Sequence, residues 1–334
     1  MRFPFRSLAA ISLALPVIGC GGSDGSGSAG SVASTPAATP TPTPSSTSSP
    51  PSSWATGATA LFDVQPSLAN CTSGTLKASV KADFLAKLNG IRALHNLPPV
   101  TYSSDEDQQE QDSSLMMAAA KQLSHSPDSS WQCYSASGAA GAGSSNLVGG
   151  WGTGLPLSGE DDYLGLWLTE NGSADIGHRR WILSPFLGKT SYGRVSLVLP
   201  DGSRASAASM RVFKFDADPP VPAGIPPFVA YPYGDYPQRY FGTGDYLSFT
   251  AIASTTSSWA NQSVSFASAT VSVTGPSGAL PVTDISTDNR GYGVPNSIQW
   301  RVSGLATGVT YTVNIVGVSG SSRTSYSYTF RVVP

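Results

Sequence analysis

The sequence predicts an α+β protein in which a helical region precedes an all-β one. Two observations carry this. In the first half, apolar side chains recur at helical spacing, as Phe84, Leu88, Ile91 and His95 do. Towards the C-terminus they alternate with polar ones instead, as in Tyr326, Tyr328, Phe330 and Val332. The 334 residues suffice for two domains with cores of their own. Charged residues are only 12% and the net charge is -2, with no long basic run. The electrostatic footprint of a nucleic-acid binder is therefore missing.

Residues 1–20 read as an export signal. Arg2 and Arg6 precede an apolar run from Leu8 to Ile18 that is too short to span a bilayer. Val17-Ile18-Gly19-Cys20 resembles the bacterial lipobox, which implies lipidation of Cys20 and a lipid anchor in the membrane. Gly21, rather than an aspartate, follows the cysteine. This points to an outer-membrane or cell-surface lipoprotein, with periplasmic or secreted as the alternatives. Residues 21–53 are rich in Gly and Ser, then in Thr and Pro, and cannot bury enough apolar surface to fold. They read as a tether. With Cys20 assigned to lipid, Cys71 and Cys133 remain as an even pair in an oxidising compartment, where a disulfide is expected.

The first domain is expected over 54–217. Its first helix carries Phe84, Leu88 and Ile91 and stops at Leu97-Pro98-Pro99. A second is expected from Ser104, capping-box-spaced with Asp107, to about Leu123. A long Gly/Ala/Ser loop from Pro127 to Gly154 follows. Ser158 is placed to cap a third helix, with Glu160, Asp161 and Asp162 in its first turn. That helix ends at Asn171-Gly172, so Glu170 sits in its last turn, where a negative charge opposes the dipole and calls for a partner. A short helix over about 175–183 carries His178, Arg179 and Arg180. Two strands, Tyr192 to Leu199 and Ala207 to Phe215, complete the domain. Residues 218–230 read as a linker and 231–334 as a β-sandwich. In the latter, Gly304-Leu305 and Gly308-Val309-Thr310-Tyr311 resemble the tyrosine corner of immunoglobulin and fibronectin III-like domains.

Four blocks in order resemble the CAP superfamily of cysteine-rich secretory, venom-allergen and plant pathogenesis-related proteins. They are LNGIRALHNLPPVTY (88–102), MAAAKQLSHSP (117–127), SSNLVGG (144–150) and LWLTENGSADIGHRRWILSP (166–185). The resemblance implies an α-β-α sandwich and a cleft holding two histidines and two acids. His125 and His178 match the histidines and Glu170 matches one acid. The other acid's position falls at Ser145, which supplies neither charge nor basicity.

Three chemistries compete at this cleft. His125, His178 and Glu170 are the residue types of an open zinc site, weighed against a hydrogen-bonded cluster that stabilises the cleft floor. Ser145, His178 and Glu170 are the residue types of a nucleophilic triad, but no Gly-x-Ser-x-Gly elbow accompanies them. Glu170 and His178 could also act as acid and base. At least one of Arg179 and Arg180 is expected to be a surface charge, and Trp167, Trp181 and His95 to be core. The reading is a binding module for a lipid, glycan or protein ligand, with a metal-assisted hydrolase or peptidase as the alternative.

Overall fold

The computed structural model describes residues 53–334. The signal peptide, Cys20 and the tether up to Ser52 lie outside the described residues. Helix α1 (Ser53–Thr59) opens the domain and is followed by the antiparallel pair β1 (Phe62–Val64) and β2 (Thr75–Leu76). Helix α2 (Ala78–Leu94) buries Phe84, Leu88 and Ile91, the three apolar positions its spacing singles out. Strand β3 (Thr101–Tyr102) precedes α3 (Asp107–Ala120), α4 (Ala136–Ala142) and β4 (Ser145–Gly152). Helices α5 (Glu160–Thr169) and α6 (Gly177–Ile182) follow, then β5 (Lys189–Thr190), β6 (Tyr192–Val198) and β7 (Arg204–Arg211).

Strands β4, β7 and β6 form an antiparallel sheet in that order. Its two faces bury different side chains, because successive residues of a strand point to opposite sides. Leu147, Val195, Ala205 and Ala207 pack with Leu115, Met116 and Met117 of α3. Val148, Tyr192, Ala208 and Met210 pack with α2 and α5 through Phe84, Leu88, Tyr163 and Trp167. The result is the three-layered α-β-α sandwich. Glu160, in the first turn of α5, pairs with the buried Arg194 of β6 at 2.6 Å and fixes that helix to the sheet.

Several local expectations are corrected. Ser104 does not cap α3. Its carbonyl accepts from Asp107 N, and Glu106 occupies the N-cap position. The helix stops at Ala120, because Lys121 turns left-handed at φ 51°. Ser158 does not cap α5 either; Gly159 does, and its N–H is held by the Asp162 carboxylate at 2.7 Å. The stretch expected as a loop from Pro127 to Gly154 contains α4 and β4. Ser135 caps α4 by accepting from Gly138 N. A Cβ at Gly141 would run into the Gln109 carbonyl of α3, so the small residues here serve close helix packing rather than disorder.

The second region forms two facing sheets. One has the order β13 (Val282–Thr287), β14 (Ile298–Val302), β10 (Leu247–Ala251) and β8 (Phe228–Tyr231), all antiparallel. The other runs β12 (Gly278–Leu280), β11 (Thr270–Gly275), β15 (Thr310–Val316), β16 (Ser325–Val333) and β9 (Gly234–Pro237), with β9 parallel to β16. Tyr311, Val313, Ile315, Tyr326, Tyr328 and Phe330 are buried together with Phe249 and Trp300. The Tyr311 hydroxyl accepts from Ala306 N at 2.8 Å, closing the corner expected there. Strand β8 lies inside the stretch read as linker, which therefore ends at Pro227. Its short run between Pro227 and Pro232 gives too little alternation to be seen in sequence.

Residues 53–334 cluster as one compact unit, with a hydrophobic core continuous across both regions. The seam is polar as well as apolar. His95 bonds the Ala230 carbonyl through Nδ1 at 2.8 Å and the Tyr236 hydroxyl through Nε2 at 3.0 Å. Burial pushes its pKa down to about 3, Arg92 and Arg179 adding to the shift while the Ala230 bond opposes it. Arg179 and Arg180 are both buried, which corrects the expectation that one is a surface charge. Arg179 donates to the carbonyls of Leu168 (2.6 Å) and Tyr246 (2.8 Å) and stacks on Tyr231. Arg180 donates to the carbonyls of Arg290 and Val294, each at 2.8 Å.

Candidate functional site

The site is built where α5 ends and α6 begins. Glu170 follows the last helical residue of α5 and adopts a left-handed conformation, φ 52°. This turns its side chain across to the start of α6. Oε1 accepts the N–H groups of His178 (2.6 Å) and Arg179 (3.1 Å), and Oε2 accepts His178 Nδ1–H at 2.9 Å. The charge at the unfavourable end of one helix thus satisfies free N–H groups at the favourable end of the next. Strand β4 adds a further restraint: Asn146 Nδ2 donates to the His178 carbonyl at 3.0 Å. The β-sandwich contributes as well. Arg290 approaches Asp175 at 3.4 Å, and a Cβ on Gly177 would touch the Tyr292 ring.

His125 comes from the segment after α3. Its Nδ1 bonds the Ala142 carbonyl at the end of α4, at 2.8 Å. The His125 and His178 rings lie 6.4 Å apart, centre to centre. Each Nδ1 is the donor to an oxygen, so each Nε2 is the free position. The two rings are pushed in opposite directions. For His178, desolvation works against the charged form, but Glu170, by charge and hydrogen bond, and Asp175 outweigh it and raise the pKa. For His125, the protein packed around the ring lowers the pKa and His178 adds repulsion, while the bond to the Ala142 carbonyl opposes them. Near the ordinary histidine pKa the cleft therefore offers a charged donor at His178 Nε2 and a neutral acceptor at His125 Nε2.

Glu170→Gln should separate these causes. Removing the carboxylate charge leaves desolvation unopposed except by Asp175, so the His178 pKa should fall below its wild-type value. An NMR titration of the imidazole protons reads this directly, since the chain has only three histidines. In the wild type, the stability supplied by the raised His178 pKa is fully present below the unfolded value near 6.5 and is lost as pH rises through the folded value. That loss should shrink in the variant. An unchanged His178 pKa would assign the shift to Asp175 instead.

Ser145 does not join this cluster. Strand β4 places it on the α3 face of the sheet, while Asn146 faces α6. Ser145 Oγ donates to Glu110 Oε2 at 2.6 Å, and Ser209 Oγ donates to the same oxygen at 2.7 Å. Burial raises the Glu110 pKa to about 7, with Ser145, Ser209 and Arg211 opposing. The Ser145–His178–Glu170 triad is thus not assembled. A zinc site built from His125, His178 and Glu170 fits no better. Both Glu170 oxygens are engaged by N–H donors, and among the described residues no group of three or more His, Cys, Asp or Glu is placed to hold a metal ion. Sequence reasoning missed Glu110. Its signal is a carboxylate in register with Ser114 and Met117 on the buried face of α3.

Cys71 and Cys133 are joined by a disulfide, with their Cα atoms 5.0 Å apart. The bridge ties the β1–β2 connection to the segment that carries His125.

A three-layered sandwich with paired histidines at the edge of its sheet defines the class. Residues 85–195 match the model of the cysteine-rich secretory protein family, CAP, so the chain contains a CAP-superfamily domain. The match runs from α2 into β6 and includes His125, Glu170 and His178. No curated protein matches the chain.

Proposed function

We propose that the protein is an exported, membrane-anchored module that binds a lipid, glycan or protein ligand at the His125–His178 cleft. The observation that carries this is the opposed pair of imidazoles. The two rings lie 6.4 Å apart with each Nδ1 already engaged, while the serine that could have attacked a substrate is turned to Glu110. Such an arrangement recognises a polar group without supplying a nucleophile. The CAP domain and the Cys71–Cys133 bridge support an extracellular setting, because disulfides persist in oxidising compartments. Anchoring is assigned to Cys20, and Cys20→Ala should move the protein from the membrane fraction to the soluble one.

The purified chain and its His178→Ala variant test the cleft. Ligand capture lost in the variant, with no peptidase activity in either protein, is the expected result. Stoichiometric zinc that disappears with His178, or metal-dependent peptide cleavage, would overturn the binding reading in favour of a hydrolase.

A further inference from the structure

We infer that the ligand surface continues from the His178 cleft onto the β-sandwich and takes a neutral glycan. This rests on the binding reading above. The path can be followed residue by residue. Tyr292 of the sandwich lies against Gly177, the residue before His178. Two positions earlier, Arg290 reaches Asp175 at 3.4 Å. Gly291, between them, lies under Trp259, where any Cβ would meet the indole ring. Trp259 is 61% exposed, the most open large hydrophobic side chain among those described.

Three properties of this surface select the ligand class. First, it carries a large open aromatic face, and sugar rings stack their C–H faces on such planes. Second, its charges are answered locally. Arg290 is held by Asp288 at 2.5 Å and by Asp175, and Arg180 pairs with Asp288 at 3.4 Å, so two guanidiniums answer two carboxylates and the patch has no surplus charge to attract an ionic ligand. Third, the adjoining imidazoles offer both a donor and an acceptor, the pairing that a hydroxyl group needs. The platform is also rigid. The Arg180 guanidinium holds the carbonyls of Arg290 and Val294, and Ser258 Oγ donates to the Gly293 carbonyl. Little conformational freedom remains to be lost on binding.

Calorimetry of the full chain with short neutral oligomers of glucose and of N-acetylglucosamine tests the inference. Binding to at least one series is expected, and Trp259→Ala and His178→Ala should each weaken it by roughly tenfold or more. Val198→Ser, on an exposed hydrophobic side chain of β6, should leave it unchanged. Circular dichroism confirms that each variant is folded. Binding that depends on His178 but not Trp259 sinks the extension and leaves the cleft reading standing. Binding that depends on Trp259 alone separates the sandwich from the cleft and overturns the composite site. Failure to bind either series, or a preference for polyanionic polysaccharide or lipid vesicles over both, overturns the neutral-glycan assignment.

Discussion

Arg179→Met should cost about 3–5 kcal/mol of folding stability, because it strips partners from buried backbone carbonyls. The guanidinium is fully enclosed between the two regions. Its Nε serves the Leu168 carbonyl at the end of α5, and one Nη serves the Tyr246 carbonyl just before β10. The buried Leu168 carbonyl is left without its donor once the side chain is apolar, the partly buried Tyr246 carbonyl loses its own, and the stacking on Tyr231 is lost as well. Arg179→Lys should recover little, since one ammonium cannot reproduce a planar fork aimed in two directions. Urea denaturation reads the effect as a lower midpoint. Arg239→Met is the control: its ion pair with Asp161 is exposed and should contribute no more than about 1 kcal/mol. The wild type should unfold in one transition, and the variant should show helix loss and sandwich fluorescence separating. A single transition at an unchanged midpoint would show that the apolar core alone holds the two regions together.

The same residue shows why some of the structure is legible in the sequence and some is not. Phe84, Leu88 and Ile91 announce their helix because burial there follows from spacing within one segment. Tyr311, Val313 and Ile315 announce their strand for the same reason. At least one of Arg179 and Arg180 reads as a surface charge because the groups that satisfy them are largely carbonyls, which leave no mark on composition. Several of those carbonyls also lie far along the chain, at Tyr246 just before β10 and in the loop before β14. Ser145 and Glu110 fail in a related way. Which face a strand residue takes depends on register, and Ser145 pairs opposite Arg211 on the face that looks at α3. The resemblance identifies which residue stands at the acid's position but not that another carboxylate bonds it from across the sheet. Glu170 was the most readable residue of the site. A carboxylate at the end of a helix demands a donor, and the next segment begins with backbone N–H groups and an imidazole.

Removing the Cys71–Cys133 bridge by a double substitution to alanine should destabilise the protein by about 4 kcal/mol, the chain-entropy value for a loop of this length. The bridged residues are 62 apart in sequence, so the uncrosslinked denatured chain gains a large set of conformations. Two features of the measurement separate this cause from lost native contacts. The urea midpoint should fall while the m-value rises, because an open denatured chain exposes more surface than a looped one. The effect should also reach the cleft. Cys133 packs beside Trp131 against the α3 side of the sheet, on the segment that leads from His125 to α4. Loosening that segment should weaken the His125 Nδ1 bond to the Ala142 carbonyl, which by itself would lower the pKa further, but it should also resolvate the ring, and desolvation is the larger cause of the shift. Its lowered pKa should then rise towards the ordinary histidine value in the bridge-free protein, while that of His178, held by Glu170 on the other side of the cleft, stays where it is. A loss of stability with His125 unmoved would confine the bridge to its effect on the unfolded chain. A shift of both histidines would mean that the two sides of the cleft depend on one another.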